Sequence, residues 1–143
     1  PLHTSVVDIP MPTMYDVDFI TDISVNANYL ATIAVAPKDW DGYYYIQIAP
    51  STSLYYVEQG TAPEDYIVKG MSTAFYKKAR SYMSQGHSAD MFLSTMCYKG
   101  TNHISVQLEK GLNYMVAVFA VESEDGAVPV MRSMPDLFYC STR

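Results

Sequence analysis

The segment from Leu108 to Val118 constrains the fold of this chain more than any other part of the sequence. Leu108 ends one apolar strand, Gly111 turns the chain, and Tyr114 opens a long apolar strand that includes Val116. In Greek-key sandwiches a tyrosine in this position turns back so that its hydroxyl bonds upstream backbone, which fixes the corner between two sheets. The segment therefore predicts a β-sandwich in which these four residues determine the corner.

The composition indicates one globular domain over residues 1–143, with an acidic surface. The chain is 49% hydrophobic and 17% charged, which is enough to bury a core without a metal or disulfides. Nine basic and 15 acidic side chains give a formal net charge of -6. Because phosphate binding requires clustered Lys and Arg, we expect no nucleic-acid partner. No apolar run approaches the roughly 20 residues of a membrane span, so we expect any membrane attachment to come from an anchor upstream of Pro1.

The hydrophobic pattern predicts strands on both sides of a helical insertion. Residues 1–16 contain Pro10 and Pro12 and predict an extended lead-in, with a short edge strand over Ser5–Ile9. Apolar spacings of three and four predict a two-helix hairpin over about residues 63–99. Alternation and turn signals predict strands over Val17–Val25, Tyr29–Ala36, Tyr43–Ala49, Thr101–Leu108, Tyr114–Val121, Ala127–Met131 and Leu137–Cys140.

Two of these strands also indicate which of their faces are covered. Alternation places Tyr44 and Ile46 in the core between the sheets, and Tyr43 and Tyr45 on the opposite face. The strand Tyr114–Val121 has no polar side chain except the tyrosine hydroxyl, whereas an antiparallel strand with one solvated face alternates. Both of its faces are therefore predicted to be covered, the outer one by the inserted helices.

The order of these elements and three local motifs resemble a known family. The motifs are the corner Leu108-x-x-Gly111-x-x-Tyr114-x-Val116, the run Tyr43–Tyr45 before the insertion Pro63–Lys99, and the strand end Val118–Glu122. Together they resemble the fibronectin type III-like domains of surface lipoproteins in Gram-negative gut bacteria. The resemblance extends from about Asp18 to Thr142.

The resemblance implies a fold, a location and a role. The fold is a fibronectin type III or immunoglobulin-like Greek-key sandwich with an inserted two-helix hairpin. The location is the cell envelope, at the outer-membrane surface or in the periplasm. The role is binding or cell adhesion, with a protein or glycan as the ligand, and the resemblance transfers no catalytic residues.

The sequence contains no motif that indicates catalysis. No serine lies in a Gly-x-Ser-x-Gly elbow, neither cysteine adjoins a histidine, and the three histidines lack the spacing of a zinc site. Cys97 and Cys140 allow one disulfide, but its geometry is not readable from sequence, and we expect two free, partly buried thiols. We therefore predict that the chain is not an enzyme.

One group of side chains indicates a candidate binding site. The predicted topology brings two loops to one pole of the sandwich, and these loops hold Asp39, Trp40, Asp41, Glu122, Glu124 and Asp125. Carboxylates from two loops are the ligands that Ca²⁺ prefers, and the candidate metal ligands are Asp39, Asp41, Glu122 and Asp125. A loop tryptophan stacks well on a sugar or an apolar partner, and the candidate ligand contacts are Trp40, Asp41, Glu124 and Asp125. The alternative is that all are solvated turn residues.

A second candidate is an aromatic binding surface formed by Tyr55 and Tyr56, which precede the helical insertion. The alternative is that these two tyrosines belong to the core. Tyr43 and Tyr45 are instead expected to be covered by the helices.

Three functions are compatible with these features. The first is a non-catalytic binding or cell-adhesion module. The second is a structural spacer or assembly domain that binds no small ligand. The third is a glycoside hydrolase that uses paired carboxylates such as Asp41 and Glu124, but such enzymes need a cleft that a lone sandwich of this length rarely forms.

Overall fold

A computed structural model describes residues 13–51 and 63–143, which form two antiparallel sheets and two helices. The predicted edge strand over Ser5–Ile9 lies outside the described residues. In chain order the elements are β1 (Phe19–Val25), β2 (Leu30–Pro37), β3 (Tyr43–Pro50), α1 (Pro63–Ser84), α2 (Ala89–Met96), β4 (Tyr98–Lys99), β5 (Asn102–Gln107), β6 (Asn113–Glu122), β7 (Val130–Met131) and β8 (Asp136–Ser141).

The strands are arranged as a β-sandwich-like fold, which confirms the mainly β architecture with a helical insertion. The first sheet has the order β1-β2-β5, and the second has the order β4-β3-β6. β7 and β8 both pair with the far side of β6, β7 near its end and β8 along its first half. β6 is therefore the central strand of the second sheet.

The interior between the two sheets is built from residues that alternate along their strands. Its buried members are Val17, Phe19, Ile33, Val35, Tyr44, Ile46, Val116, Val118 and Ala120. The buried Tyr44 hydroxyl donates a hydrogen bond to the Gly100 carbonyl at 2.6 Å and accepts one from the Asn102 amide at 3.0 Å. The polar end of the largest core side chain is thus satisfied, as a buried hydroxyl requires.

The two helices cover the outer face of the second sheet, as predicted. The apolar stripe of α1 and the buried residues of α2 pack against the other face of β6. Phe75 of α1 forms the centre, with its ring 5.1 Å from Tyr45, 5.6 Å from Phe92 and 5.7 Å from Phe119. Residues Tyr114–Val121 are consequently buried without interruption, and the prediction that both faces of this strand are covered is confirmed.

The ends of the insertion follow local signals only in part. The Ser88 side chain caps α2 by accepting a hydrogen bond from the Met91 N–H at 3.1 Å, and Gly86 adopts a φ of 96° after α1. The predicted helical insertion over 63–99 is too long at its end, because α2 ends at Met96 and β4 pairs with β3. A two-residue strand has no periodicity, so its pairing is decided by tertiary contact.

The turns also show where local signals and structure differ. Asp125 and Gly126 both have positive φ (53° and 80°), as an Asp-Gly turn between β6 and β7 requires. The following strand was predicted from Ala127, but β7 begins at Val130, since Pro129 cannot donate to a ladder. Between β1 and β2 the positive φ falls on Tyr29 (62°) rather than on an asparagine.

The Asn26 side chain explains that turn. Its Oδ1 accepts hydrogen bonds from the N–H groups of Asn28 at 2.9 Å and Leu30 at 3.0 Å. This Asx-type bonding closes the hairpin. The positive φ then falls on Tyr29, the residue before β2.

The predicted corner is present with its hydrogen bond. The Tyr114 hydroxyl accepts a hydrogen bond from the Glu109 N–H at 2.8 Å, while Tyr114 and Leu108 are each 6% exposed. Gly111 turns the chain with a φ of 83°. Thr142, which the sequence did not single out, accepts from the Leu112 N–H at 3.0 Å and donates to the Glu109 carbonyl. The corner is therefore held from both the tyrosine and the C-terminal strand.

The two cysteines are free, as expected. Cys97 is buried in the layer under the helices, whereas Cys140 is half-buried beside the corner. Burial raises the pKa of the Cys97 thiol to about 12, although the charge of Lys78 lowers it slightly. The Cys97 thiol is thus protonated at neutral pH, which makes it a poor nucleophile.

We predict that Tyr114→Phe lowers the free energy of unfolding by about 1 kcal/mol, because it leaves the Glu109 N–H without its acceptor. Urea unfolding followed by circular dichroism measures this change. Tyr139→Phe is the matched control, since Tyr139 is 63% exposed and its hydroxyl accepts no hydrogen bond from the described residues. Equal stabilities for the two variants would contradict the role of the corner hydrogen bond.

Candidate functional site

Arg132 is the centre of a charged cluster at one pole of the sandwich. Its side chain is only 8% exposed, and its Nε lies 2.9 Å from Glu122 Oε1 while its Nη2 lies 2.6 Å from Glu124 Oε1. The backbone N–H of Arg132 donates to the Ala120 carbonyl at 2.7 Å, which continues the pairing of β7 with β6. The hairpin turn after β6 therefore positions two carboxylates against one guanidinium.

Tyr15 connects this cluster to the lead-in. The guanidinium carbon of Arg132 lies 4.6 Å from the centre of the Tyr15 ring, and Nη2 donates to the Tyr15 hydroxyl at 2.7 Å. The same hydroxyl donates to Glu122 Oε1 at 3.0 Å. The Tyr15 N–H donates to the Arg132 carbonyl at 2.5 Å, and Tyr15 bridges Ser133 in parallel register. Arg132 thus holds Thr13 and Tyr15, at the described end of the lead-in, against the sandwich.

Trp40 packs at the edge of this cluster. Its ring centre lies 5.6 Å from that of Tyr15, and its indole N–H donates to the Tyr43 carbonyl at 2.7 Å. A Cβ on Gly42 would lie 2.7 Å from the Trp40 ring, so only glycine allows the ring to lie over the chain at that position. One face of the half-buried indole is therefore used for packing, and its N–H already has a partner.

The structure unites some of the predicted pole residues and leaves others apart. Trp40, Glu122 and Glu124 belong to one cluster through Tyr15 and Arg132. Asp39, Asp41 and Asp125 are exposed, and none of these three side chains forms a hydrogen bond or ion pair with a described residue. The sequence interpretation placed the right loops at one pole but missed the arginine and the tyrosine that join them.

The positive charge of Arg132 and the negative charges of Glu122 and Glu124 determine the electrostatics around Tyr15. The hydrogen bond to Glu122 and the partial burial of the hydroxyl raise the pKa of Tyr15. Burial alone lowers the pKa of Arg132, but the hydrogen bond and charge of Glu122, with the charges of Tyr15 and Glu124, outweigh this effect and raise it. Two of the pole carboxylates are thereby engaged by a cation.

Metal binding at the pole stays a prediction. Within residues 13–51 and 63–143, no three His, Cys, Asp or Glu side chains are grouped so that they could hold a metal ion. Tyr55 and Tyr56 lie outside the described residues, so the aromatic surface that they were expected to form also stays a prediction. Tyr45 is covered as expected, with its hydroxyl 2.8 Å from the Lys78 ammonium.

A groove between β1 and β8 is a second candidate site, and the sequence did not indicate it. It has a volume of about 560 Å³ and lies where the edge strands of the two sheets meet. The Phe19 N–H donates to Asp136 Oδ2 at 3.2 Å and ties the two edges together. The groove is lined by Phe19, Val68, Met134, Pro135, Asp136, Leu137 and Phe138.

The chemistry of this groove is apolar with one carboxyl group. Burial raises the pKa of Asp136, the charge of Asp18 adds to this, and the hydrogen bond from Phe19 and the charge of Lys38 oppose it. Met134 is 50% exposed at the groove. An apolar concave surface with one well-placed polar group is the usual composition of a ligand site.

No sequence signal could have identified the groove. Phe19 and Phe138 are distant in the chain, and each reads as an ordinary strand residue. A signal did exist for Arg132, because a lone arginine beside apolar Met131 follows a turn that carries Glu122 and Glu124. A charge in such a position needs a partner when it is buried.

Comparison with known proteins returns no match for this chain among family models, curated proteins or solved structures. Neither described helix is long and apolar enough to cross a membrane.

We predict that Arg132→Met lowers the free energy of unfolding by about 2 kcal/mol, because it removes charge-assisted hydrogen bonds from a nearly buried position. The emission of Trp40, the only tryptophan, should shift to the red as Tyr15 leaves its ring. Urea unfolding and tryptophan fluorescence measure the two effects. Arg80→Met is the matched control, since Arg80 is exposed on α1, and equal behaviour of the two variants would contradict the role of the cluster.

We predict that Asp136→Asn stabilises the protein more at pH 7 than at pH 3. The folded-state pKa of Asp136 is raised, so its stabilising contribution is complete below the unfolded pKa and is lost as pH rises through the folded pKa. Asparagine keeps an acceptor for the Phe19 N–H without the charge. Thermal unfolding across this pH range is the measurement, with exposed Asp22→Asn as control; a stability difference independent of pH would contradict the prediction.

Proposed function

We propose that this chain is a non-catalytic protein-binding module whose ligand site is the groove between β1 and β8. The observation that carries the proposal is the combination of an apolar groove of about 560 Å³ with one carboxyl group and a half-exposed methionine. A groove of this volume accommodates a few side chains of an extended peptide. Met134 suits such a role because methionine adapts its shape to different apolar partners.

The expected ligand is an extended apolar segment that carries a hydrogen-bond donor or a cation. Asp136 supplies the only carboxyl group among the described lining residues, and its environment disfavours the unpaired charge. An N–H or ammonium group on the ligand would satisfy that oxygen, while apolar side chains would cover Met134 and Pro135.

We also propose that the fold is a fibronectin type III-like sandwich. Three strands in the order β1-β2-β5 face a second sheet in which β6 lies between β3 and β8, and a tyrosine corner lies at the start of β6. This topology and corner support the finer family assignment. With that assignment, a location at the bacterial cell envelope and a role in adhesion follow from the resemblance alone.

The pole around Arg132 has a structural role in this proposal. Its guanidinium is saturated by carboxylates, the Tyr15 ring and the Thr13 carbonyl, which lies 3.4 Å from Nη1. Such a cluster holds Thr13 and Tyr15 in place. The groove, by contrast, has exposed apolar surface that nothing among its described neighbours covers.

Peptide selection tests the binding function directly. A phage-displayed library of random peptides is selected on the immobilised protein, and recovered peptides are synthesised for calorimetry. We expect alternating apolar peptides with a basic residue, and we expect Met134→Asp to weaken their binding at least about tenfold. Met91→Asp is the matched control, because Met91 on α2 is 48% exposed and Met134 is 50% exposed.

Two outcomes would overturn the proposal. One is that selection yields no peptide with measurable affinity, which favours the spacer function. The other is that Met134→Asp and Met91→Asp weaken binding equally, which places the ligand outside the groove.

A further inference from the structure

Met134 combines two properties that no other described methionine has, since it lines the groove and is 50% exposed. Met91 on α2 is similarly exposed, at 48%, but it is not among the described lining residues. Met71, Met115 and Met131 are at most 5% exposed. Because oxidation of a side-chain sulfur follows its exposure to the reagent, Met134 and Met91 are the described methionines most open to oxidants.

Met134 belongs to a short link that is anchored at both ends. Ser133 before it is fully buried and forms a parallel bridge with Tyr15. Asp136 after it begins β8, which pairs with β6. Between these anchors Pro135 has a restricted φ. The backbone therefore has little freedom to carry the Met134 side chain away from the groove, and a chemical change of that side chain changes the groove wall.

We propose that a peroxide regulates the groove by oxidising Met134 to methionine sulfoxide, which weakens ligand binding. The inference rests on the proposed function of the groove and adds a means of regulation. With hydrogen peroxide, one oxygen atom passes to the Met134 sulfur as the O–O bond breaks and an S–O bond forms. The sulfur loses two electrons, and the second oxygen of the peroxide leaves as water.

The sulfoxide opposes binding because it adds a polar acceptor to an apolar wall. The thioether of methionine adapts to apolar partners, whereas the sulfoxide oxygen forms hydrogen bonds with water. An apolar side chain of the ligand that covers this oxygen removes that water and leaves the acceptor unpaired, which disfavours the complex. A ligand N–H that bonds to Asp136 is not available to the sulfoxide.

Peroxide treatment of the full chain tests the site of oxidation. The protein carries Cys140→Ser, so that this half-buried thiol does not consume the reagent. Mass spectrometry of proteolytic fragments follows the sulfoxide fraction at each methionine, and circular dichroism shows that the fold is retained. We expect Met134 and Met91 to be oxidised at least about tenfold faster than Met115 and Met131, because the fold shields the latter two.

Calorimetry tests the effect of oxidation on binding. The probe is a peptide recovered by the selection on the immobilised protein, chosen without methionine or cysteine so that peroxide leaves it unchanged. We expect oxidation of the protein to weaken its binding at least about fivefold. A methionine sulfoxide reductase with a thiol reductant should restore the affinity, since it returns two electrons to the sulfur and releases the oxygen as water.

Leucine variants assign the effect to one sulfur. Met134→Leu has no thioether in the groove, so its own affinity for the peptide should be the same before and after peroxide treatment. Met91→Leu is the matched control, because it removes the other exposed thioether. Its binding should weaken on oxidation as much as that of the parent protein.

Glutamine variants test the polarity of the side chain without an oxidant. Glutamine has a similar length to methionine and carries a polar oxygen near the position of the sulfoxide oxygen. We expect Met134→Gln to weaken peptide binding at least about fivefold. Met91→Gln should keep the affinity of the parent protein, because Met91 is not among the described lining residues.

Four results would overturn the inference. These are oxidation of Met134 no faster than that of Met115, equal peptide affinities before and after oxidation, a loss of affinity on oxidation of Met134→Leu, and equal effects of Met134→Gln and Met91→Gln. The groove function fails on a different result: a reduced protein that binds no peptide removes the groove function and, with it, this inference. A protein that binds peptide equally in both oxidation states keeps the groove function and removes only its regulation.

Discussion

The burial of β6 on both faces is the constraint on which the rest of this structure depends. One face of the strand fills the space between the sheets, and the other packs under α1 and α2. An apolar strand of ten residues cannot leave either face in water without losing roughly 25 cal/mol for each Å² of apolar surface. The helical insertion is therefore an integral layer of the fold, and Phe75 connects it to β3, α2 and β6 through three aromatic contacts.

The two ends of the sandwich are secured by different chemistry. At the corner, neutral hydrogen bonds through Tyr114 and Thr142 hold the chain where it crosses between sheets. At the other end, Arg132 binds two carboxylates and the Tyr15 ring, and these contacts hold Tyr15 beside β7. The described residues of β1 and β8 are joined by a backbone-to-carboxylate hydrogen bond between Phe19 and Asp136. The seam between these two strands holds the groove that we propose as the ligand site.

How far the sequence predicts the candidate sites depends on how each site is assembled. The pole was predicted as a meeting of two loops, since strand order alone brings loop ends together. Its chemistry was not, because Tyr15 and Arg132 are far apart in the chain and meet where Tyr15 forms a parallel bridge with Ser133. The groove was missed for the same reason, as Phe19 and Phe138 each belong to an unremarkable apolar strand.

Local periodicity, turn residues and the tyrosine corner were by themselves enough to predict most of the strands, the two helices and the covered faces of β6. These features depend on residues that lie a few positions apart in the chain, so their spacing can be read directly from the sequence. Only the tertiary structure decided the two-residue pairing of β4, the engagement of Thr142 and the cation at the acidic pole. Each of these joins elements distant in sequence, and pairing energy between strands is realised only after the sheets have packed.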